Sequence, residues 1–281
     1  MIKKVGVIGA GTMGRGIAQN LITTGVNALL CDQNLELAEA GRSYIEKRLA
    51  RGVSKGRMTE EAKAEAMSLL TIKAALKDLS DCDVVIEAAT ENMAVKKIIF
   101  AELDQVCQAK TILATNTSSL SITELAQATN RPQQVIGMHF FNPVPMMKLV
   151  EVIKGLATSE EVNDQVIKLA EKLGKSPVVV AEAPGFVVNR VLIPMINEAI
   201  GILDEGVASA ESIDLALKLG ANHPIGPLAL GDLIGLDVCL AIMEVLHTEF
   251  GDSKYRPHPL LRKMVRGGLL GRKTKQGFFT Y

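Results

Sequence analysis

Residues 2–32 confine the fold of this chain more than any other stretch. "IKKVGVI" is a short Val/Ile-rich run, "GAGTMG" follows without a break, and "TMGRGIAQNLITTG" carries apolar residues at helical spacing up to a stop at Gly25. "NALLCD" is a second apolar strand that ends in Asp32. A strand, a glycine turn, a helix and a strand in this order make a βαβ unit. The pattern G-x-G-x-x-G at Gly9, Gly11 and Gly14 is weak alone, because glycine is common, but the strand before it and the helix after it raise its meaning. Gly9 permits the tight turn, Gly11 lets main chain approach a diphosphate, and Gly14 lets helix and strand pack closely. The first helical turn, with Thr12 and Met13, offers N–H groups without intrahelical partners at the positive end of the helix dipole. Asp32 puts a carboxylate where the adenosine ribose hydroxyls of a dinucleotide would donate to it. That carboxylate repels a 2′-phosphate, and Gln33 stands where an arginine would welcome one, so NAD is expected rather than NADP. The plain alternative is a glycine turn without a ligand, and strand, helix and aspartate together speak against it.

The alternation continues. A helical stretch from Leu35 to Arg51, the basic link "RGVSKGR" and a helix from Thr59 to Leu69 read as a helical-hairpin insertion. "LLTIK", "DVVIEAA", "TILATN", "QVIGMHF", "MKLVEVI" and "PVVVAEA" read as strands, with helices expected over 95–107, 121–128 and 159–173. Strands alternating with helices imply a mainly parallel sheet covered on both faces. Beyond Pro184, "GFVVNRVLIPMINEAIGILDEG", "SAESIDLALKLG", "LALGDLIGLDVCLAIMEVLHTEF" and "PLLRKMVRGG" all show helical spacing, and only the final "GFFTY" suggests a strand. Gly206, Gly220 and Gly267 are expected to set helix ends. The expected architecture is α/β: a doubly wound, mainly parallel sheet over 1–183, followed by an all-α domain over 184–281.

A length of 281 residues suits two such domains. Lys plus Arg and Asp plus Glu both number 31, which removes any electrostatic case for nucleic acid or an anionic membrane as partner. Cys31, Cys82, Cys107 and Cys239 are scattered, with no C-x-x-C spacing and no histidine cluster. They read as reduced residues of a cytoplasmic protein, and no metal site is expected. No leader is read ahead of the strand at Ile2, and no apolar run reaches the roughly 18–20 residues of a membrane span.

"GMHFFNPVPMMKLVEVI" holds a histidine, His139, at the end of one strand and a glutamate, Glu151, in the next. The "NPVP" segment turns the chain away from the first strand. The second then returns and could set Glu151 beside the imidazole. Oxidising an alcohol by hydride loss needs a base near neutral pKa, which an ordinary histidine supplies at about 6.5, and a carboxylate to fix its tautomer. On these residues alone, a histidine that merely packs or caps at a strand end is an equal reading. His223, His247 and His258 have no carboxylate at a comparable spacing.

"GAGTMGRGIA", "VIEAATEN", "ATNTSSLSIT", "GMHFFNPVPMMKLVEVI", "APGFVVNRVLIPMINEA", "LGANHPIGP" and "LGRKTKQGFF" together resemble the L-3-hydroxyacyl-CoA dehydrogenase family across essentially the whole chain. The resemblance implies a Rossmann-type NAD-binding domain and a helical C-terminal domain that forms a homodimer, with the active site in the cleft between domains. It implies NAD-dependent interconversion of L-3-hydroxyacyl-CoA and 3-oxoacyl-CoA, with short chains expected. Position by position, it matches His139 and Glu151 to the catalytic pair, and Ser118 and Asn189 to residues holding the C3 oxygen or thioester. It matches Asn142 to a further active-site asparagine. Glu91 and Lys96 correspond to residues near the nicotinamide ribose, and Lys273 to a lysine reaching the cofactor region. Lys55 and Arg48, beside the hairpin, fall where the coenzyme A moiety rests, although Arg48 departs from the serine expected there. Without the resemblance, Ser118 would read as a cap of the helix near Ser121, Asn189 as an ordinary polar-face residue, and Glu91 and Lys96 as first-turn helix charges. Two rivals stand beside this reading: a related dehydrogenase of a free hydroxy acid, and a non-catalytic NAD-binding structural protein.

Overall fold

The computed structural model describes residues 2–281, and the chain divides into two compact units, one through Glu182 and one over Ala183–Tyr281. The first contains β1 (Lys4–Ile8), α1 (Thr12–Thr23), β2 (Asn27–Cys31), α2 (Leu35–Ser54), α3 (Glu60–Ser68), β3 (Leu70–Lys73), β4 (Val84–Glu87), α4 (Met93–Val106), β5 (Ile112–Thr115), α5 (Ile122–Ala126), β6 (Val135–Phe140), β7 (Leu149–Lys154), α6 (Glu160–Lys172) and β8 (Ser176–Ala181). The sheet order is β3-β2-β1-β4-β5-β6-β7-β8. Every neighbouring pair is parallel except β6 and β7, which are antiparallel.

Apolar runs without alternation become strands buried on both faces, as in β4 and β5, where every residue is buried. Each buried Val, Leu or Ile contributes about 1.5–3 kcal/mol relative to exposure, so the central strands hold the sheet together. Side-chain caps start the helices where the sequence supplies them: Asn34, Thr59, Asn92, Ser121 and Ser159 each accept a first-turn N–H. The strand order reverses at β1 and β4, which opens a crevice beyond their carboxyl ends, where the glycine turn lies. Helix boundaries differ from the sequence reading by up to three residues. The helix α2 continues through Ser54, so part of the expected basic link is helical, and α5 is shorter than 121–128.

The second unit holds α7 (Val188–Asp204), α8 (Ala210–Gly220), α9 (Pro227–Ile234), α10 (Leu236–Phe250) and α11 (Pro259–Arg266) around a core that includes Ile193, Ile196, Leu228, Met243, Leu246 and Leu261. The helical stretch expected over 228–250 is two helices. Gly235, at φ +107°, separates them, a conformation that costs glycine little and other residues much. Gly220 is the last residue of α8, so that helix ends where the glycine suggested. The expected terminal strand "GFFTY" is corrected: it takes part in one isolated bridge, Thr280 with Gln276. The amides of Phe278 and Phe279 donate to the buried Asp232 carboxylate at 3.0 and 2.9 Å instead of to a neighbouring strand. Among the described residues, no helix is long and apolar enough to cross a membrane.

Candidate active site

At the crevice, Gly9 has φ +96°, and a Cβ there would meet the main chain of Ala88 and Ala89. A Cβ at Gly14 would overlap the carbonyl oxygen of Gly9. Both glycines are therefore demanded by the fold itself. Gly11 differs: a Cβ at this position would meet no atom within 4 Å. Gly11 is also the N-cap of α1 and brings no capping side chain, so the first N–H groups of that helix, around Thr12 and Met13, are presented without one. Packing does not explain that glycine, whereas a diphosphate lying against the main chain does. Asp32, just after β2, accepts from the Ala10 N–H at 2.6 Å through Oδ2 and from the Gln33 N–H at 2.7 Å through Oδ1. Each oxygen keeps a lone pair for a ribose hydroxyl. The residues fit a dinucleotide.

Along the sheet, the antiparallel register sets His139 of β6 directly opposite Glu151 of β7. Both side chains are buried, and Nδ1 of His139 lies 2.8 Å from Oε2 of Glu151. The turn after His139 and the return strand thus do what their spacing suggested. Phe141 stands against the imidazole with ring centroids 4.4 Å apart. A neutral imidazole in this contact carries its proton on Nδ1 and accepts through Nε2, an assignment made from the hydrogen-bond geometry.

The end of β5 is tied to the end of β6, because the Phe140 N–H donates to Asn116 Oδ1 at 2.9 Å. Just beyond, Ser118 donates to Glu91 Oε1 through its N–H at 2.8 Å and its hydroxyl at 2.9 Å. The cap of α5 is Ser121, not Ser118, so the capping alternative for Ser118 is set aside. Lys96 is 1% exposed and bonds Glu87 at 2.5 Å. It is no ordinary first-turn surface charge, since its partner lies wholly inside the sheet.

The remaining candidates are spread out. Asn142 is an exposed residue in the turn after β6. Arg48 lies on α2 and Lys55 caps its C-terminal end; both are exposed, and among the described residues neither makes an ion pair. Asn189 and Lys273 belong to the second unit. Asn189 is buried in the first turn of α7, so it is not an ordinary polar-face residue. Lys273 forms an ion pair with Asp237 at the start of α10.

Three residues escaped sequence reasoning. Glu87, the partner of Lys96, and Asn116, which ties β5 to β6, are two of them. Lys175 is the third: it is buried, and its Nζ donates to the carbonyls of Val144 at 2.5 Å and Met147 at 2.9 Å, which fastens the turn that follows His139. Burial holds its ammonium below the usual lysine range. Glu87 did carry a signal, for a carboxylate ending a wholly apolar strand needs a buried partner. Lys175 carried none.

A glycine turn at the strand-order reversal, an aspartate after β2 and a His–Glu pair on the same sheet define a Rossmann-type dinucleotide-binding protein equipped for proton transfer. Residues 4–183 match the family model for the 3-hydroxyacyl-CoA dehydrogenase NAD binding domain, and residues 185–281 match that for the 3-hydroxyacyl-CoA dehydrogenase C-terminal domain. The chain is 58% identical over 278 residues to the 3-hydroxybutyryl-CoA dehydrogenase of Clostridioides difficile, covering 99% of each. It is 58% identical over 280 residues to the probable 3-hydroxybutyryl-CoA dehydrogenase of Bacillus subtilis, covering 100% of this chain and 98% of the relative. The crystal structure of (S)-3-hydroxybutyryl-CoA dehydrogenase from Ralstonia eutropha superposes with a TM-score of 0.97 at 51% identity, over 100% of this chain and 99% of that one. The chain belongs to the 3-hydroxyacyl-CoA dehydrogenase family.

Proposed function

We propose that this chain interconverts L-3-hydroxyacyl-CoA and 3-oxoacyl-CoA with NAD, and that its preferred substrates are short, of the 3-hydroxybutyryl and acetoacetyl kind. The observation that carries this reading is the buried His139–Glu151 contact on the sheet that also bears the dinucleotide turn. Bound NAD supplies the hydride acceptor. His139 takes the C3 hydroxyl proton through Nε2, and Glu151 steadies the imidazolium that results. In the reducing direction His139 returns that proton to the C3 oxygen. Ser118 and Asn189 orient and polarise the C3 oxygen and thioester, and Asn142 serves as a further active-site asparagine. Glu91, Lys96 and Lys273 serve the cofactor region, and Lys55 and Arg48 meet the coenzyme A phosphates as exposed cations. The protein works in the cytoplasm as a homodimer paired through its C-terminal helices. In that unit, Leu215 and Leu219 lie four residues apart on α8 and are 52% and 77% exposed, an apolar stripe a second copy would cover.

The loss of NADH absorbance with acetoacetyl-CoA, longer 3-oxoacyl-CoA thioesters and the free acids as controls tests the activity. Turnover on the thioesters is expected to exceed that on free acids by orders of magnitude. Equal turnover of a free acid would transfer the chain to the free-acid branch. NADH binding without any turnover would make it a structural relative.

A further inference from the structure

Glu87 is the last residue of β4 and is fully buried. Its Oε1 accepts from the Ala89 N–H at 2.8 Å, while Oε2 accepts from Thr115 Oγ1 at 2.8 Å and Lys96 Nζ at 2.5 Å. The Lys96 ammonium also stands 3.8 Å from Oε2 of Glu91. The other oxygen of Glu91 accepts three hydrogen bonds, from Thr117 Oγ1 at 2.7 Å and from the N–H and hydroxyl of Ser118. One polar chain thus runs from the sheet interior outward: Glu87, Lys96, Glu91, Ser118. It holds two carboxylates for one ammonium.

We propose that Glu87 is a positioning residue for Ser118, acting through Lys96 and Glu91; the proposal rests on the substrate role given to Ser118 above. A buried ammonium without a counter-ion is costly, and at short range in a poorly polarisable interior its attraction to a carboxylate is large. With Glu87 charged, Lys96 is satisfied, and Glu91 keeps its oxygen on Thr117 and Ser118. Without that charge, Glu91 is the carboxylate within reach. Closing the 3.8 Å gap to contact turns Glu91 away from Ser118, and the serine loses the acceptor that fixes both its amide and its hydroxyl. Misplacing a substrate-orienting group by about an ångström costs up to about a hundredfold in rate.

A double-mutant cycle on the full chain, read as kcat/KM for acetoacetyl-CoA at saturating NADH and normalised to the folded fraction, tests this. Glu87→Gln is expected to lower kcat/KM by about tenfold to a hundredfold. Ser118→Ala in the Glu87→Gln background is expected to cost far less than in the wild type, because the serine is already misplaced. A carboxylate that only props the fold would lower Tm and leave the cost of Ser118→Ala at its wild-type size. Losses that multiply, or a Glu87→Gln effect below about twofold, overturn the inference. If Glu87→Gln does not fold, Thr115→Val, which removes one donor from the same carboxylate, replaces it: reduced coupling to Ser118 of the same sign supports the inference, and none overturns it. A wild type that turns over acetoacetyl-CoA with an additive cycle sinks this inference alone. A wild type inert toward acetoacetyl-CoA sinks the reading of the site.

Discussion

At the scale of single residues, the three glycines of the nucleotide turn separate two kinds of constraint. Gly14→Ala forces a Cβ into the Gly9 carbonyl and is expected to yield unfolded or insoluble protein. Gly11→Ala meets no protein atom, so Tm is expected to stay within a few degrees of wild type while NADH affinity, read by fluorescence titration, falls about tenfold or more. Equal effects of the two changes on Tm would contradict the assignment of Gly11 to the ligand. His139→Ala is expected to lower kcat by roughly 10²–10⁴-fold with NADH binding retained, and a loss under tenfold would refute an acid–base role. Much of this was legible in the sequence, because glycine, aspartate, histidine and glutamate announce their chemistry through spacing. Lys96 was legible as a position but not as an environment: its burial against Glu87 depends on β4, β5 and α4 folding together, which no local pattern encodes.

Elements show a second kind of control, in which polar clamps fix where strands and helices end. Asp104 on α4 accepts from the Asn130 N–H at 2.9 Å, its side-chain amide at 2.8 Å and Arg131 Nε at 2.6 Å, and so ties the chain ahead of β6 to that helix. Burial raises the Asp104 carboxyl, yet the bonds from Asn130 and Arg131 outweigh it and hold it below the usual carboxylate range. A lowered value in the folded state means stabilisation that is present above the unfolded carboxyl value of about 3.9 and vanishes as pH falls through the folded one. Asp104→Asn is therefore expected to cost about 1–3 kcal/mol at pH 7, and the gap between the two Tm curves should narrow as pH falls below the unfolded carboxyl value of about 3.9. A gap that stays constant with pH would show that charge is not the cause. The sequence foretold the alternation of strands and helices well, since apolar period and caps are local. It misread "GFFTY", whose apolar residues suggested a strand while a distant aspartate, Asp232, claimed the amides. It ran two helices together across Gly235, because a single glycine inside an apolar run does not disclose its φ.

For the molecule as a whole, the proposed pairing through the apolar stripe on α8 predicts its state of assembly. Light scattering on the purified protein is expected to give about twice the 30.1 kDa of one chain. Leu219→Glu is expected to shift that mass toward the monomer with helical circular dichroism unchanged, because a charge desolvated at an interface is costly and harmless in water. A wild-type monomer would defeat the pairing outright. The arrangement of β6 and β7 carries a wider consequence. Neighbouring strands of one hairpin hold the imidazole and its carboxylate, and the nucleotide turn sits on the same sheet, so all three travel within one compact unit of the polypeptide. Descendants of such a chain can rewrite the helical unit and still inherit the imidazole and its carboxylate as one paired piece.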